Sequence, residues 1–146
     1  MNKKISILLI PLILVMAYGG VHSQTHISIW GFSLSKNDIK QLIVSIENEE
    51  GSSQYLITNQ KEVSRIGKLL SKSEQYSEVN SFSLDEQPEK YTQILIQMHD
   101  NTTYGGDLWV MGMNYVQNSN GYYWKVDYEK LSALLNEAIP AGEKVQ

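Results

Sequence analysis

The pattern of apolar and polar positions divides the chain near residue 23. Before that point, Ile5 to Ala17 (ISILLIPLILVMA) is an unbroken apolar run of 13 residues behind a short basic start, Met1-Asn2-Lys3-Lys4. About 20 residues are needed to span a bilayer as a helix, and Pro11 removes one helical hydrogen bond from the middle of the run. Small residues follow at Ala17, Gly19, Gly20 and Ser23. Residues 1–23 therefore read as a signal peptide, a short signal helix cut near Ser23, which predicts a secreted, extracellular protein. Ala17 to Gly20 is the alternative cut, and without cleavage the same segment would be a membrane anchor.

Beyond Ser23 the periods change to two or to 3.6 residues. His26 to Leu34 (HISIWGFSL) reads as a short strand with Gly31 as a bulge. Asp38 to Glu47 (DIKQLIVSIE) fits a helical stripe through Ile39, Leu42, Ile43 and Ile46, and fits a strand face through Leu42, Val44 and Ile46. Its β-branched cluster and the turn residues that follow favour the strand. Asn48 to Ser53 is that turn, and Gln54 to Thr58 closes a hairpin. Asn59 is a helix N-cap, with Glu62 three residues on to complete a capping box. The helix runs from Lys61 to Ser71 with Val63, Ile66, Gly67 and Leu70 on its apolar stripe, and Gly67 there implies close packing against a sheet. Ser73 to Lys90 is the most polar stretch, a long loop with a short strand near Val79 to Leu84.

Tyr91 to His99 alternates, with Ile94, Ile96 and Met98 facing a core. Asp100 to Asp107 (DNTTYGGD) reads as a turn holding a double glycine. Leu108 to Val116 is apolar on both faces, as in a central strand. Asn120-Gly121 is a strong hairpin turn, followed by a strand face of Tyr122, Trp124 and Val126. Asp127 caps a second helix, Tyr128 to Ala138, with Leu131, Leu134, Leu135 and Ala138 on one stripe and Pro140 ending it. Hairpin spacing dominates. The prediction is one α+β domain over residues 24–146, a mostly antiparallel sheet of about five to six strands with two helices packed on one face.

Charge and composition narrow the function. The 146 residues carry 12 basic and 16 acidic side chains; beyond Ser23 the count is 10 and 16, so the exported part is more acidic than the whole. That balance argues against a nucleic-acid partner. The absence of cysteine rules out disulfides, a thiol nucleophile and thiolate metal ligation. It also leaves no lipid attachment point at the cut, which implies release rather than tethering.

Local similarity points the same way. The segments Asp38-Ile39-Lys40, Tyr55-Leu-Ile-Thr-Asn59, Lys61-Glu62-Val63, Ile66 to Leu70 and Tyr91 to Ile96 form a hairpin running into a capped helix and then a central strand. In these the chain resembles the uncharacterised small secreted and lipoprotein domains of bacilli and related Firmicutes, the YhfM-like group, over residues 38–138. The resemblance implies an exported domain from a Gram-positive bacterium and carries no catalytic residues with it.

Candidate chemistry is sparse. His26 and His99 lie far apart and lack metal-ligand spacing. Asp100, Asn101 and Asp107, with Thr103, place oxygen ligands around a turn that calcium would accept, although not in an EF-hand pattern. No other metal and no cofactor is indicated. The carboxylates Glu47, Glu49, Glu50 and Glu62, with Asp85, Glu86 and Glu89, could form an acid–base pair only if a cleft held two of them about 5–9 Å apart. Nucleophile-elbow, serine–lysine and phosphate-loop motifs are absent. Aromatic residues concentrate late in the chain. Tyr104, Trp109, Tyr115, Tyr122, Tyr123 and Trp124 form a candidate binding surface, because Tyr and Trp dominate interface hot spots. The sequence thus favours a non-enzymatic binding module for an extracellular protein or a cell-wall glycan. The alternatives are a small hydrolase with a dispersed carboxylate site and a secreted enzyme inhibitor.

Overall fold

The computed structural model describes residues 25–48, 51–78 and 85–145. The signal segment and the strand expected at 79–84 lie outside these. The described chain is a mostly antiparallel sheet carrying two helices on one face, as expected, but with ten strands instead of five or six. Eight form one sheet and two form a separate hairpin.

That hairpin is the first departure from expectation. His26 to Leu34 is not one strand: β1 (His26–Ile29) and β2 (Phe32–Ser35) pair antiparallel around Trp30-Gly31. Both turn residues have positive φ, 51° and 80°, which a two-residue turn between right-twisted strands requires. Left-handed backbone costs a non-glycine residue about 1–2 kcal/mol. Removing a buried Trp side chain costs about 3–5 kcal/mol. Trp30 is 1% exposed, so burial of the indole outweighs the strained turn.

A 3-10 turn (Lys36–Asp38) leads into β3 (Ile39–Asn48), which pairs with β4 (Gly51–Ile57). The strand reading of 38–47 was therefore the right one of the two. Helix α1 (Gln60–Leu70) starts at Asn59, whose side chain accepts from the Lys61 N–H at 3.0 Å. The capping box is not completed by Glu62, whose carboxylate instead accepts from Arg65. Strand β5 (Glu74–Glu78) follows, then β6 (Tyr91–Met98), β7 (Thr103–Met111), β8 (Asn114–Ser119) and β9 (Tyr122–Lys125). Helix α2 (Tyr128–Ala138) is capped by Asp127, which accepts from the Lys130 N–H, and the two-residue β10 (Glu143–Lys144) closes the chain. The sheet order is β10-β4-β3-β6-β7-β8-β9-β5.

The double glycine lies inside β7 and not in a turn. The first half of β7, to Asp107, pairs with β6; the second half, from Leu108, pairs with β8. The sheet forks there. A Cβ on Gly105 would overlap the Ile94 carbonyl oxygen, and one on Gly106 would overlap the Asn118 carbonyl oxygen. Gln117, fully buried, donates from its side-chain amide to Ile94 O at 2.7 Å and to Gly106 O at 3.2 Å. Leu108 to Val116 is likewise two strands, turned at Gly112-Met113.

One face of the sheet carries the core. Leu42, Val44, Ile57, Ile94, Ile96 and Leu108 meet Val63, Ile66 and Leu70 of α1, and Leu131, Leu135 and Ala138 of α2. Ile29, Trp30 and Leu34 of the hairpin join the same cluster. The opposite face is mixed over β4, β3 and β6: half-buried Leu56, Ile43 and Leu95 line up across the strands, flanked by polar pairs in which Gln41 bonds Gln97 at 2.7 Å and Gln93 bonds Asp107 of β7 at 2.9 Å. Over β7–β9 it carries a small second cluster of Met111, Val116 and Tyr123 with Trp109 packed against it. No helix among the described residues is long and apolar enough to cross a membrane.

Candidate functional site

One recess among the described residues follows from how α1 meets the β1–β2 hairpin. Val63, Ile66 and Leu70 of the helix share one core cluster with β3 and with the hairpin, which packs alongside. At Gly67 the contact is loose: an added Cβ would find only Ile29 Cδ1, at 3.7 Å. Gly67 thus faces the hairpin, where close packing against a sheet was expected. Between the two elements runs a groove of about 660 Å³. Its floor is Ile27, Ile39, Val63 and Gly67. One wall is His26, Ser28, Ser33 and Lys36 from the hairpin and its following turn; the other is Gln60, Ser64, Lys68 and Ser71 from α1. The Gln60 amide donates to Lys40 O at 2.9 Å and pins the helix start to β3.

Among the described residues that line this groove there is no Asp or Glu, although the chain is acidic overall. Two lysines line it, Lys68 on the helix and Lys36 on the hairpin side, with the His26 imidazole on the same wall as Lys36. Ser64 and Lys68 stand about one helical turn apart, at i and i+4 rather than at the i, i+3 spacing of a serine–lysine motif. A lysine acts as a base only where burial strips water from it, and Lys68 is exposed. Ser71 donates its hydroxyl to Lys68 O at 3.0 Å, closing the helix end. The side-chain polar groups buried among the described residues are neutral: Gln41, Ser45, Thr92, Gln117 and Ser119.

A second, smaller recess of about 270 Å³ lies between the 86–90 segment and α2. Tyr115 and Tyr128 stack there with ring centroids 4.1 Å apart and planes 8° from parallel. Glu86, Glu89 and Lys90 stand at its rim. Burial pushes the Tyr128 phenol above its ordinary range. Lys90 and Tyr91 both donate to the Asn136 side-chain oxygen, at 2.5 and 2.8 Å. Elsewhere, Arg65 bridges Glu137 at 2.9 Å and Glu62 at 2.8 Å, joining the helices, and its pKa is raised first by the Glu137 bond.

The six aromatic candidates are divided between the two faces. Tyr123 is 2% exposed and Trp124 is 9% exposed. Trp124 donates its indole N–H to Ser119 O at 2.8 Å and belongs to the main core, while Tyr123 belongs to the second cluster with half-buried Trp109. Tyr104 is half-buried against Phe32, 4.7 Å between rings; Tyr122 packs edge-on to Trp124; Tyr115 is committed to Tyr128. The calcium candidates are not gathered either. Asp100 accepts the Thr102 N–H at 2.9 Å, which holds its carboxyl below the usual range, and Asn101 has φ 68°. Asp107 instead accepts from Gln93, four residues further along β7 than Thr103, or about 13 Å at strand rise. Among the described residues no three acidic or histidine side chains cluster to hold a metal.

The groove residues were missed in the sequence because they come from four separate segments with no common spacing. The one pointer was Gly67 on a buried helix stripe. No protein-family model matches the chain, and neither do curated proteins or solved structures.

Proposed function

We propose that this chain is an exported binding domain of a Gram-positive bacterium, akin to the YhfM-like secreted domains, and that it holds an extracellular ligand in the groove along α1. The observation that carries the reading is the groove itself: about 660 Å³, floored by aliphatic side chains and rimmed by hydroxyl and cationic groups. This matches the apolar surface with a few polar anchors that small-molecule sites use. Burial of Tyr123 and Trp124 moves the binding surface away from the late aromatic hairpin, and with it the stacking faces that a glycan would use. Export rests on the charged start, apolar run and small residues of 1–23.

The test uses N-phenyl-1-naphthylamine, a neutral apolar fluorophore. The folded domain is expected to bind it saturably at one site. Ser64→Trp places an indole in the groove from an exposed helix position, and is expected to abolish that binding while leaving the circular dichroism spectrum and the melting temperature in place. Absence of saturable binding, or binding indifferent to Ser64→Trp, overturns the reading.

A further inference from the structure

We propose that Tyr115 and Tyr128 form an oxidative modification site, where a one-electron oxidant joins the two phenol rings into a dityrosine cross-link. The site lies at the second recess and stands apart from the groove along α1. Tyr115 is on β8, and Tyr128 is the first residue of α2. Their rings overlap face to face, with centroids 4.1 Å apart and planes 8° from parallel. A carbon–carbon bond between two phenol rings holds their centroids at about that same separation, so the rings need to swing but not to travel. The backbone fixes the pair as well: the Val126 N–H, two residues before Tyr128, donates to Tyr115 O at 2.9 Å. Tyr91 also meets Tyr128, but edge-on, with centroids 6.4 Å apart and planes 61° apart, which gives no overlap.

Both rings are half-buried and line the recess of about 270 Å³, which puts the phenols within reach of an oxidant in solvent. The oxidant class is hydrogen peroxide acting through a haem peroxidase. Each phenol gives up one electron and its hydroxyl proton, which leaves an unpaired electron shared between the oxygen and the ring carbons ortho to it. The two radicals pair in one carbon–carbon bond between ortho carbons. The hydrogens on the joined carbons are then lost as protons while both phenol oxygens regain theirs. Two hydrogen atoms leave the protein, and one hydrogen peroxide is reduced to two waters. Radicals held side by side meet without a diffusional search. The product closes a loop between residues 115 and 128. Closing a loop removes freedom from the unfolded chain, the service that a disulfide gives, and the 146 residues contain no cysteine to give it.

The experiment treats the purified protein with a haem peroxidase and hydrogen peroxide, then separates monomer from cross-linked dimer. The monomer is expected to show dityrosine fluorescence and to yield a linked peptide pair that holds Tyr115 and Tyr128 and is two hydrogens lighter than its parts. Its yield should not change with protein concentration, because the bond forms within one molecule. Tyr115→Phe and Tyr128→Phe should each abolish that monomer product, while Tyr55→Phe leaves it in place. Phenylalanine keeps the ring, so a folded Tyr115→Phe or Tyr128→Phe that still forms the product overturns the proposal. Cross-linking confined to dimers, a linked pair that omits either residue, or no dityrosine at all overturns it too. The cross-linked monomer should melt about 5 °C or more above the untreated protein, and an unchanged melt overturns its role as a staple.

Discussion

Two glycine sites show opposite uses of a missing side chain. At the fork of β7, Gly105 and Gly106 let backbone reach backbone, and any Cβ would overlap a carbonyl oxygen. On α1, Gly67 faces one methyl group at ordinary contact distance and opens onto the groove. The fork is close-packed and sets where β7 changes partner from β6 to β8; at Gly67 the helix–hairpin contact leaves room for a methyl group. Interiors resist volume changes of even one methylene, so a ligand space has to come from a contact that is not fully closed. Folding constraint and the proposed binding space are thus separated, the first on the sheet and the second beside it.

The sharpest way to break that comparison is at the fork. Gly106→Ala is expected to cost about 3 kcal/mol or more, since neither Asn118 nor the β7 backbone can yield without loss of the ladder. Urea unfolding measures it. A midpoint within experimental error of the wild type would show that the strands separate freely, and the contrast with α1 would fail. Gln117→Leu comes next. It keeps the volume and removes both donors, leaving Ile94 O and Gly106 O short of a partner. An unsatisfied buried acceptor costs about 1–3 kcal/mol. Part is recovered, because the Gln117 side-chain oxygen has no hydrogen-bond partner and leucine removes it. A net loss of about 1–2 kcal/mol is expected, and a stabilised Gln117→Leu would show that the amide does not hold the fork.

What could be read from the chain followed from whether the signal was local. Both helices, their caps at Asn59 and Asp127, the β6 alternation and the Asn120-Gly121 turn each rest on residues within one element. The errors came where tertiary contacts set the local structure. Gly105-Gly106 carries the composition of a turn, yet only the approach of Ile94 and Asn118 explains it. Trp30 is an unexpected residue for left-handed backbone and is held there by burial. Strand β5, Glu-Gln-Tyr-Ser-Glu, has no apolar alternation because it is an edge paired only with β9. The site was less readable still. Lys36 and Lys68 are 32 residues apart, and only the folding of the hairpin against α1 sets them across one groove.

Gly67→Ala has the smallest expected effect and the opposite sign. Glycine inside a helix costs about 1 kcal/mol relative to alanine, and here nothing forbids the methyl: the nearest atom outside the helix is Ile29 Cδ1 at 3.7 Å. The variant should be more stable by about 0.5–1 kcal/mol, or about 4 °C in melting temperature for a domain of this size. A methyl on the groove floor narrows the space slightly, so naphthylamine affinity should fall only about threefold or less, well short of the Ser64→Trp block. A destabilised Gly67→Ala would mean that α1 and the hairpin are as tightly closed as the fork. The groove would then be a seam in the packing with no room for a ligand, and the glycine would be required for the fold.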